Sequence, residues 1–394
     1  MEFEKFNNKA VLIWGYGREG KSTEAFLKSH TTGCITEVFE GKREELDASR
    51  FDYVFKSPGI VMEDDDPKFT SQTELFLDCF RDNVIGVTGT KGKSTTSSML
   101  YYVLNKCLPK RVLLLGNIGL PCLDYFDEID EDTIVVFEMS CHQLAHVKTS
   151  PHISVFLNLF EEHLDYYGTV DKYFAAKSNI ARFQTKNDFL YIGEQVPEFE
   201  SVSRRTVISR NDVPDYELKV LGDHNDYNAH FVFKIATELF GVEEESAKAA
   251  LSEFTGLPHR LQFLGNKDGI DYYDDSISTI PFAAIEALHA VKNAGSIIIG
   301  GMDRGIDYGP LLDFIRANGQ YTYIFAYSSG KRIYESVSDL KNCMPVEDLT
   351  AAVELAKRVT PEGMACILSP AAASYGYFKN FEERGDAFKA LVGL

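Results

Sequence analysis

Short apolar runs rich in β-branched residues alternate with helical stretches along most of the chain. Runs that are apolar throughout indicate strands buried on both faces, and their alternation with helices predicts parallel sheets covered by helices. Such runs occur at residues 10–14, 53–55, 84–87, 111–115, 133–137, 152–157, 296–299, 321–326 and 365–368. The pattern therefore predicts an α/β fold.

The alternation is interrupted in the second half of the chain. It pauses near residues 219–222, two helices follow at about 226–240 and 243–254, and Gly256–His259 resembles a linker before strands return. A chain of 394 residues has room for about two or three domains. We expect three domains, at residues 1–82, 83–257 and 258–394.

Composition and charge exclude several classes of protein. Hydrophobic residues make up 44% of the chain and charged residues 25%, which is typical of a globular protein. The net charge of −19 argues against nucleic-acid binding, which needs a positive face. No apolar run approaches the ~20 residues of a membrane span, and the N-terminus lacks the features of a signal peptide. Cysteines without C-x-x-C spacing predict free thiols in the cytosol.

The predicted strand at 84–87 runs into the segment Gly86-Val-Thr-Gly-Thr-Lys-Gly-Lys-Ser-Thr-Thr96, which precedes a predicted helix. Backbone amides of a Gly-rich turn at a helix N-terminus form an anion site. In such loops a lysine reaches the outer phosphates and a hydroxyl binds Mg2+, the places held here by Lys93 and Ser94. Gly86 lies six residues before Gly92 rather than five, so the strict pattern fails. We expect a triphosphate site; the alternative is a turn carrying a surface lysine.

A second glycine pattern, Gly15-x-Gly17-x-x-Gly20, follows the first predicted strand. It matches the dinucleotide fingerprint, which is a weak signal alone. The segment before the phosphate loop has roughly half the length of a complete dinucleotide domain. We therefore expect a mononucleotide-type half that holds one diphosphate. NAD binding and a turn without a ligand remain the alternatives.

The phosphate-loop segment resembles that of the Mur ligases of peptidoglycan synthesis. Further matches follow that family's order and cover nearly the whole chain. They are Gly116-Asn-Ile-Gly119, Glu138-Met-Ser-Cys-His-Gln-Leu144, Asn158-Leu-Phe-Glu-Glu-His-Leu-Asp165, Ala175-Ala-Lys177, His224-Asn-Asp-Tyr-Asn228, Leu257-Pro-His-Arg260, Asp274-Asp-Ser276 and Ser369-Pro-Ala-Ala-Ala-Ser374. Within the family, Ser57-Pro-Gly-Ile60 and Phe378-Lys-Asn-Phe-Glu-Glu-Arg-Gly385 look most like the glutamate-adding member.

The resemblance implies an ATP-dependent ligase that forms an amide bond through an acyl phosphate. It implies UDP-N-acetylmuramoyl-L-alanine, glutamate and ATP as substrates, and a cytoplasmic, monomeric protein. It also implies a Rossmann-like N-terminal domain for the UDP substrate, a central phosphate-loop ATPase domain, and a Rossmann-like C-terminal domain for the amino acid and ATP. The reaction brings a carboxylate close to the γ-phosphate, and these two anions repel each other. The site therefore needs cations, namely Lys93 and two Mg2+ ions.

The resemblance assigns roles to individual residues. The catalytic residues would be Lys93, Glu138, His163 and Lys177. Ser94 and Glu138 would hold the first Mg2+, and His163 and Lys177, as a carbamate, the second. ATP would be bound by Gly89, Thr90, Gly92, Lys93, Ser94, Thr95, Asn225, Asn228, Arg260 and Asp275. The UDP substrate would be bound by Gly15, Gly17, Ser57, Gly59, Asn117 and Gln143, and glutamate by Arg304, Ser374 and Phe381.

Three positions depart from the glutamate-adding pattern. Ile277 replaces a lysine, Arg304 stands where a lysine is usual, and Gly376 where an aspartate is usual. All three lie near the expected amino-acid pocket, so they bear on how glutamate is held. Arginine can grip a carboxylate with two parallel hydrogen bonds, which makes the change from lysine significant. We expect D-glutamate as the acceptor, and an L-glutamate-adding variant as the alternative.

Two other enzyme classes compete with this interpretation. Folylpolyglutamate synthase has a similar loop but lacks a nucleotide-sugar domain before it. An NAD-dependent oxidoreductase would explain the N-terminal glycines and leave Lys93, Glu138 and His163 unexplained. A non-catalytic nucleotide-binding partner would have no use for these side chains or for Lys177.

Overall fold

The structure, a computed structural model, describes residues 2–61, 66–118, 120–162, 164–220, 222 and 224–394, with only the backbone of residues 164 and 165. Its described residues form two compact units. The first comprises residues up to 216 together with 226–251, and the second comprises 217–225 and 252–394. The first unit contains two sheets and the second unit contains one.

The first sheet of the first unit is small and parallel. Its strands are β1 (Ala10–Trp14), β2 (Ile35–Phe39), β3 (Tyr53–Lys56) and β4 (Phe69–Thr70), in the order β2-β1-β3-β4. Its helices are α1 (Arg18–His30) and α2 (Gln72–Phe80). The Gly15–Gly20 turn joins β1 to α1, at the carboxyl edge where ligands bind in open α/β sheets.

The second sheet is parallel throughout its six strands. Its strands are β5 (Val84–Thr88), β6 (Val112–Gly116), β7 (Ile134–Glu138), β8 (Ile153–Phe156), β9 (Phe189–Gly193) and β10 (Arg204–Ile208), in the order β10-β9-β8-β5-β7-β6. The helices that follow are α3 (Lys93–Cys107), α4 (Cys141–Leu144), α5 (Leu164–Tyr167), α6 (Val170–Arg182), α7 (His224–Phe240) and α8 (Glu244–Glu253). The central strand β5 carries the phosphate-loop segment.

One hydrophobic core joins these first two sheets. Phe76 of α2 packs against Phe137 of β7 with ring centroids 5.5 Å apart, and Phe26 of α1 lies 4.7 Å from Phe126. All four side chains belong to the same buried cluster. The two sheets of this unit are therefore held together by apolar packing.

The second unit contains a sheet that is parallel except at one edge. Its strands are β11 (Gln262–Lys267), β12 (Ile270–Asp274), β13 (Ala294–Ile299), β14 (Thr322–Phe325), β15 (Cys343–Pro345) and β16 (Ala365–Leu368), in the order β11-β12-β16-β13-β14-β15, with β11 antiparallel. Its helices are α9 (Pro281–Ala290), α10 (Gly309–Ala317), α11 (Tyr327–Glu335), α12 (Leu349–Val359) and α13 (Phe381–Val392).

The apolar run of β13 is explained by burial on both faces. Ile297 and Ile299 pack into the cluster that includes Leu311, while Ile298 packs into the opposite cluster that includes Phe388. Alternating side chains of one strand therefore reach two separate cores, which favours a mostly apolar strand.

The predicted α/β fold class is confirmed, since all three sheets are mostly parallel and flanked by helices. Each predicted domain carries one sheet, and the domain boundaries at 82 and 257 stay a prediction. All seven cysteines are unpaired. Among the described residues, no helix is long and apolar enough to cross a membrane.

A glycine at the end of β13 yields the first prediction. Gly300 has a φ of +131°, and a Cβ there would lie 1.8 Å from the Ala326 carbonyl oxygen. We expect Gly300→Ala to lower the free energy of unfolding by more than about 2 kcal/mol, as measured by chemical denaturation. Gly319→Ala is the matched control, because nothing lies within 4 Å of a Cβ at that position. Equal stability of the two variants would contradict this expectation.

Candidate active site

The phosphate loop turns sharply between β5 and α3. Gly89 has a φ of +158° and Gly92, the N-cap of α3, a φ of +84°, so both use backbone space that favours glycine. Gly86 lies inside β5, where a Cβ would come 2.6 Å from the Pro151 ring. The loop therefore begins at Gly89, and Gly86 serves strand packing.

Asn158 fixes the shape of the loop from the end of β8. Its Oδ1 accepts a hydrogen bond from the Lys91 amide at 2.9 Å, and its Nδ2 donates to the Lys91 carbonyl at 3.0 Å. The Thr90 amide donates to the Asn158 carbonyl at 3.0 Å, and the Thr90 hydroxyl bonds Tyr173 at 3.1 Å. The loop is thereby held in its anion-binding shape by side chains from β8 and α6.

Two lysines converge on a single carbonyl oxygen. The ammonium groups of Lys93 and Lys177 donate to the Gly89 carbonyl at 2.9 Å and 2.7 Å. Lys93 also donates to the Thr90 carbonyl at 2.9 Å. Lys177 is 1% exposed and lies 4.9 Å from the centre of the Tyr173 ring. Positive charge is thus concentrated at the turn where phosphates are expected.

Burial perturbs both lysines. It lowers the pKa of Lys177 to about 7, and the nearby Lys93 charge acts in the same direction. Burial also lowers the pKa of Lys93, an effect opposed by the Glu138 carboxylate. Near neutral pH, a large fraction of Lys177 is therefore an uncharged amine, the form that reacts as a nucleophile.

Glu138 ends β7 beside the start of the loop. Its strand partner is Val87, and the Glu138 side chain is fully buried. Its Oε1 accepts a hydrogen bond from Asn117 Nδ2 at 2.7 Å, while its Oε2 has no hydrogen-bond partner among the described residues. A buried carboxylate oxygen without a donor fits a cation ligand, since buried polar groups are otherwise satisfied.

The first turn of α3 supplies the other expected phosphate contacts. Lys93, Ser94 and Thr95 are its first residues, and the amides at a helix start have no partner within the helix. Asn228, on α7, is buried with its Oδ1 2.7 Å from where a Gly92 Cβ would lie. The structure thus brings Asn228 against the loop, and its role in ATP binding stays a prediction.

The glycine-rich turn of the first sheet borders a cleft of about 400 Å³. Gly15, with a φ of +92°, lines it, and the Ser57 hydroxyl donates to the Gly15 carbonyl at 2.9 Å. Gly17 and Gly59 are exposed, with nothing within 4 Å of a Cβ. Lys42 also lines the cleft and was not singled out from the sequence. The predicted UDP-binding residues of this sheet therefore share one edge.

Gln143 connects this edge to the second sheet. Its Nε2 donates to Glu19 Oε1 at 2.9 Å, and its Oε1 accepts from the Ser140 amide at 3.0 Å. Burial raises the pKa of Glu19. Glu19 belongs to the glycine pattern, but its partner lies 124 residues away, so pattern analysis alone could not identify the pair.

Asp275 is the centre of a hydrogen-bonded group in the second unit. Its Oδ1 accepts from the Leu261 amide at 3.1 Å, and its Oδ2 from the hydroxyls of Ser369 at 2.7 Å and of Ser278. Burial raises the pKa of Asp275 to about 6. Arg260, which is exposed, directly precedes Leu261, the residue whose amide binds Asp275.

The predicted glutamate residues follow parallel strands of the same unit. The Met302 amide donates to the Ala373 carbonyl at 2.8 Å, which joins the loop of Arg304 to that of Ser374. Arg304 is exposed and Ser374 is buried. The Ser276 hydroxyl donates at 2.8 Å to the carbonyl of Phe381. These carboxyl-end loops therefore surround one edge of the sheet.

Arg384, which the sequence did not identify as a site residue, holds these loops together. Its Nε donates to the Ser276 hydroxyl at 3.0 Å, and its Nη2 donates to the carbonyls of Ser276 and Ala372 at 2.7 Å and 3.1 Å. Its Nη1 is buried without a partner among the described residues. Burial lowers the pKa of Arg384 to about 10. Ile277 beside this group is half-buried and Gly376 is exposed.

The sequence-predicted residues thus form groups within each unit. In the first unit, Lys93, Glu138 and Lys177 surround the loop. Asn228 of α7 is buried in the same unit, and Asn225, which is also buried, falls in the second unit. His163 lies outside the described residues, and within those residues no group of three or more His, Cys, Asp and Glu side chains forms a metal cluster.

Sequence relatives identify the class of protein. A family model described as "Mur ligase middle domain" matches residues 87–208. The UDP-N-acetylmuramoylalanine--D-glutamate ligase of Aquifex aeolicus is 34% identical over 97% of this chain and 98% of its own. The ligase of that name from Streptococcus mutans is 32% identical over 99% of each chain. The UDP-N-acetylmuramoyl-L-alanine--L-glutamate ligase of Salinispora tropica is 29% identical over 100% of this chain and 99% of its own.

Solved structures show the same fold. The MurF ligase of Thermotoga maritima, in complex with ADP, has a TM-score of 0.57 and is 15% identical over 97% of this chain and 94% of that one. A UDP-N-acetylmuramoyl-L-alanyl-D-glutamate--2,6-diaminopimelate ligase has a TM-score of 0.59 and is 17% identical over 96% and 92%. The protein is an ATP-dependent ligase that forms amide bonds. The chain belongs to the Mur ligase family.

The clamp on the phosphate loop yields the second prediction. Asn158→Ala would leave the Lys91 amide and carbonyl without their side-chain partners. We expect ADP to bind about tenfold more weakly, measured by calorimetry, because the loop loses its fixed shape. Asn187→Ala, at an exposed position of the same unit, should bind ADP like the wild type. Unchanged affinity of Asn158→Ala would show that the loop is fixed by other contacts.

Proposed function

We propose that this ligase joins glutamate to UDP-N-acetylmuramoyl-L-alanine in peptidoglycan precursor synthesis, with conversion of ATP to ADP and phosphate. The observation that carries the proposal is the convergence of Lys93 and Lys177 on the Gly89 carbonyl, beside the buried Glu138. Relatives named as glutamate ligases of this substrate match the chain over nearly its full length. That combination supports a carboxylate-activating site.

The reaction proceeds in two balanced steps. A carboxylate oxygen of the muramyl-alanine attacks the γ-phosphorus of ATP, and ADP leaves. The glutamate amine then attacks the acyl carbon, loses a proton, and displaces phosphate. Lys93 and the amides that open α3 offset the negative charge that gathers in the first step. Without such cations, two anionic reactants would repel each other.

Magnesium fits the donors at the loop. Glu138 Oε2 is the buried oxygen without a partner, and Ser94 supplies a hydroxyl in the first turn of α3. When bound, Mg2+ neutralises phosphate charge and polarises the transferred group. We propose Ser94 and Glu138 as ligands of one ion, and His163 and a modified Lys177 as ligands of a second.

Lys177 is proposed to carry a carbamate. Its neutral amine adds CO2 and releases one proton, which leaves a buried anion in place of the uncharged amine. The pKa of about 7 supports this role, because the reactive amine is abundant near neutral pH. The Lys93 ammonium, which shares the Gly89 carbonyl with Lys177, would stabilise the new negative charge.

The UDP substrate, glutamate and the rest of ATP are proposed to bind at other sheet edges. The UDP part is assigned to the cleft beside Gly15, Ser57 and Gly59, with Asn117 and Gln143 toward the muramyl group. Glutamate is assigned to Arg304, Ser374 and Phe381, and the rest of ATP to Asn225, Asn228, Arg260 and Asp275. The monomeric state, the cytoplasmic location and the two domain boundaries stay predictions.

We propose D-glutamate as the acceptor. The D-glutamate ligase of Aquifex aeolicus is 34% identical to the chain, and the L-glutamate ligase of Salinispora tropica is 29% identical. The departures at Ile277, Arg304 and Gly376 make the amino-acid pocket the place where the L-enantiomer could be preferred instead.

The third prediction tests this function directly. With UDP-N-acetylmuramoyl-L-alanine and ATP, we expect D-glutamate to drive ADP release and amide formation, and L-glutamate to give less than about one-tenth of that kcat/KM. Product formation is followed by mass spectrometry. Turnover of L-glutamate alone would establish the alternative acceptor, and absence of product with both enantiomers would refute the proposed function.

The fourth prediction concerns the carbamate. Lys177→Ala should lose more than about 99% of kcat, as expected when a metal-holding anion is removed. Formate or acetate should restore part of the activity, whereas formamide should not. Lys172→Ala, at an exposed position of the same helix, should remain active. In the wild type, 13C-labelled bicarbonate should give a carbamate resonance that Lys177→Ala lacks; rescue by formamide would argue against this role.

A further inference from the structure

A buried lysine lies beneath the loop that follows β3. Lys56 is 5% exposed, and its ammonium group donates to the carbonyls of Ile60 at 2.8 Å, Ser57 at 3.2 Å and Pro58 at 3.5 Å. The Ile60 amide also donates to the Ser57 carbonyl at 3.2 Å, which closes a turn with Pro58 and Gly59 at its centre. The carbonyls of this loop therefore point inward, toward one cation.

The inward carbonyls fix the direction of the amides. In a trans peptide, the N–H points opposite to the C=O. The Pro58 carbonyl shares its peptide with the Gly59 amide, and the Ile60 carbonyl shares its peptide with the Val61 amide. Both N–H groups are thus directed away from Lys56, and neither donates to a backbone carbonyl among the described residues. Gly59 is exposed, so an anion can reach its amide.

The cation is also connected to the second sheet. Glu19 opposes the lowering of the Lys56 pKa through its charge, and it accepts the hydrogen bond from Gln143 at 2.9 Å. Tyr166, on α5, donates to the Ile60 carbonyl at 2.9 Å. The loop is therefore stabilised by hydrogen bonds from Lys56 and from Tyr166, the latter a residue that follows the second sheet's strand β8. Glu19 interacts with both the Lys56 charge and the Gln143 side chain.

We infer that Lys56 and Glu19 are positioning residues for the UDP substrate, because Lys56 orients the Gly59 and Val61 amides toward its diphosphate and Glu19 aligns Gln143 with its muramyl group. The inference rests on the proposed function, which assigns this edge to the nucleotide sugar. An internal ammonium group, while it is protonated, acts here as a counter-ion for carbonyl dipoles. It contributes affinity by preorganising the amides rather than by touching the ligand.

Removal of the cation tests this role. In Lys56→Met the inward carbonyls lose their common partner, and we expect UDP and UDP-N-acetylmuramoyl-L-alanine to bind about tenfold more weakly by calorimetry. In turnover assays the KM for the UDP substrate should rise by a similar factor. The kcat and the KM values for ATP and glutamate should stay within about twofold. Lys9→Met, at the opposite edge of the same sheet, is the matched control.

A pH profile separates positioning from a general loss of structure. Burial lowers the pKa of Lys56 to about 8, and the groups that face it are Glu19, His142 and His146. The charged form is lost as pH rises through that value, so wild-type affinity for the UDP substrate should fall between pH 7 and 9. The Lys56→Met variant binds the same ligand without the titrating ammonium group. Its affinity for the UDP substrate should therefore not fall over this pH range.

Glu19→Gln serves as the second variant, since it keeps an acceptor for Gln143. Without the Glu19 charge, Lys56 loses its proton at lower pH. The fall in affinity for the UDP substrate should therefore also occur at lower pH. Equal affinity and equal pH profiles of wild type, Lys56→Met and Glu19→Gln would overturn this assignment alone. A wild-type protein that binds neither UDP nor the UDP substrate would overturn the assignment and the proposed function together.

Discussion

The carbonyl oxygen of Gly89 accepts hydrogen bonds from two ammonium groups, and the arrangement of the candidate site follows from this contact. Lys93 reaches it from the first turn of α3 and Lys177 from the middle of α6. The sharp turn between β5 and α3 uses positive φ values at Gly89 and Gly92. The Asn158 clamp keeps that turn in place, and Glu138 limits the accumulated positive charge.

The parallel register of the second sheet explains why distant sequence motifs meet. β5 lies between β7 and β8, so the residues at the carboxyl ends of these three strands are neighbours. Val87 pairs with Glu138, and Thr88 pairs with Phe156, two residues before Asn158. Strand ends carrying polar residues were visible in the sequence, and the phosphate loop indicated which edge binds the ligand. The site around this loop was therefore predictable to a large extent.

Other features depend on contacts that no local pattern contains. Arg384 lies within the segment 378–385 that resembles the glutamate-adding member of the family. Its role, however, depends on the carbonyls of Ser276 and Ala372, which come near only in the folded sheet. The Glu19–Gln143 bond likewise joins two sheets. The packing of Gly86 against Pro151 also joins residues far apart in the sequence. Sequence periodicity predicts which strands are buried, but it does not identify the side chain that faces a given carbonyl.

The crowding of cations at Gly89 also has a thermodynamic consequence for the protein without nucleotide. The Lys93 charge disfavours a second positive charge on the buried Lys177, and the depressed pKa of Lys177 reflects that repulsion together with the cost of burial. An anion bound at the loop offsets both the charge repulsion and the cost of burying the charge. Nucleotide binding and folding are therefore coupled in this unit: a bound nucleotide stabilises the folded loop, and it acts as a structural counter-ion as well as a reactant.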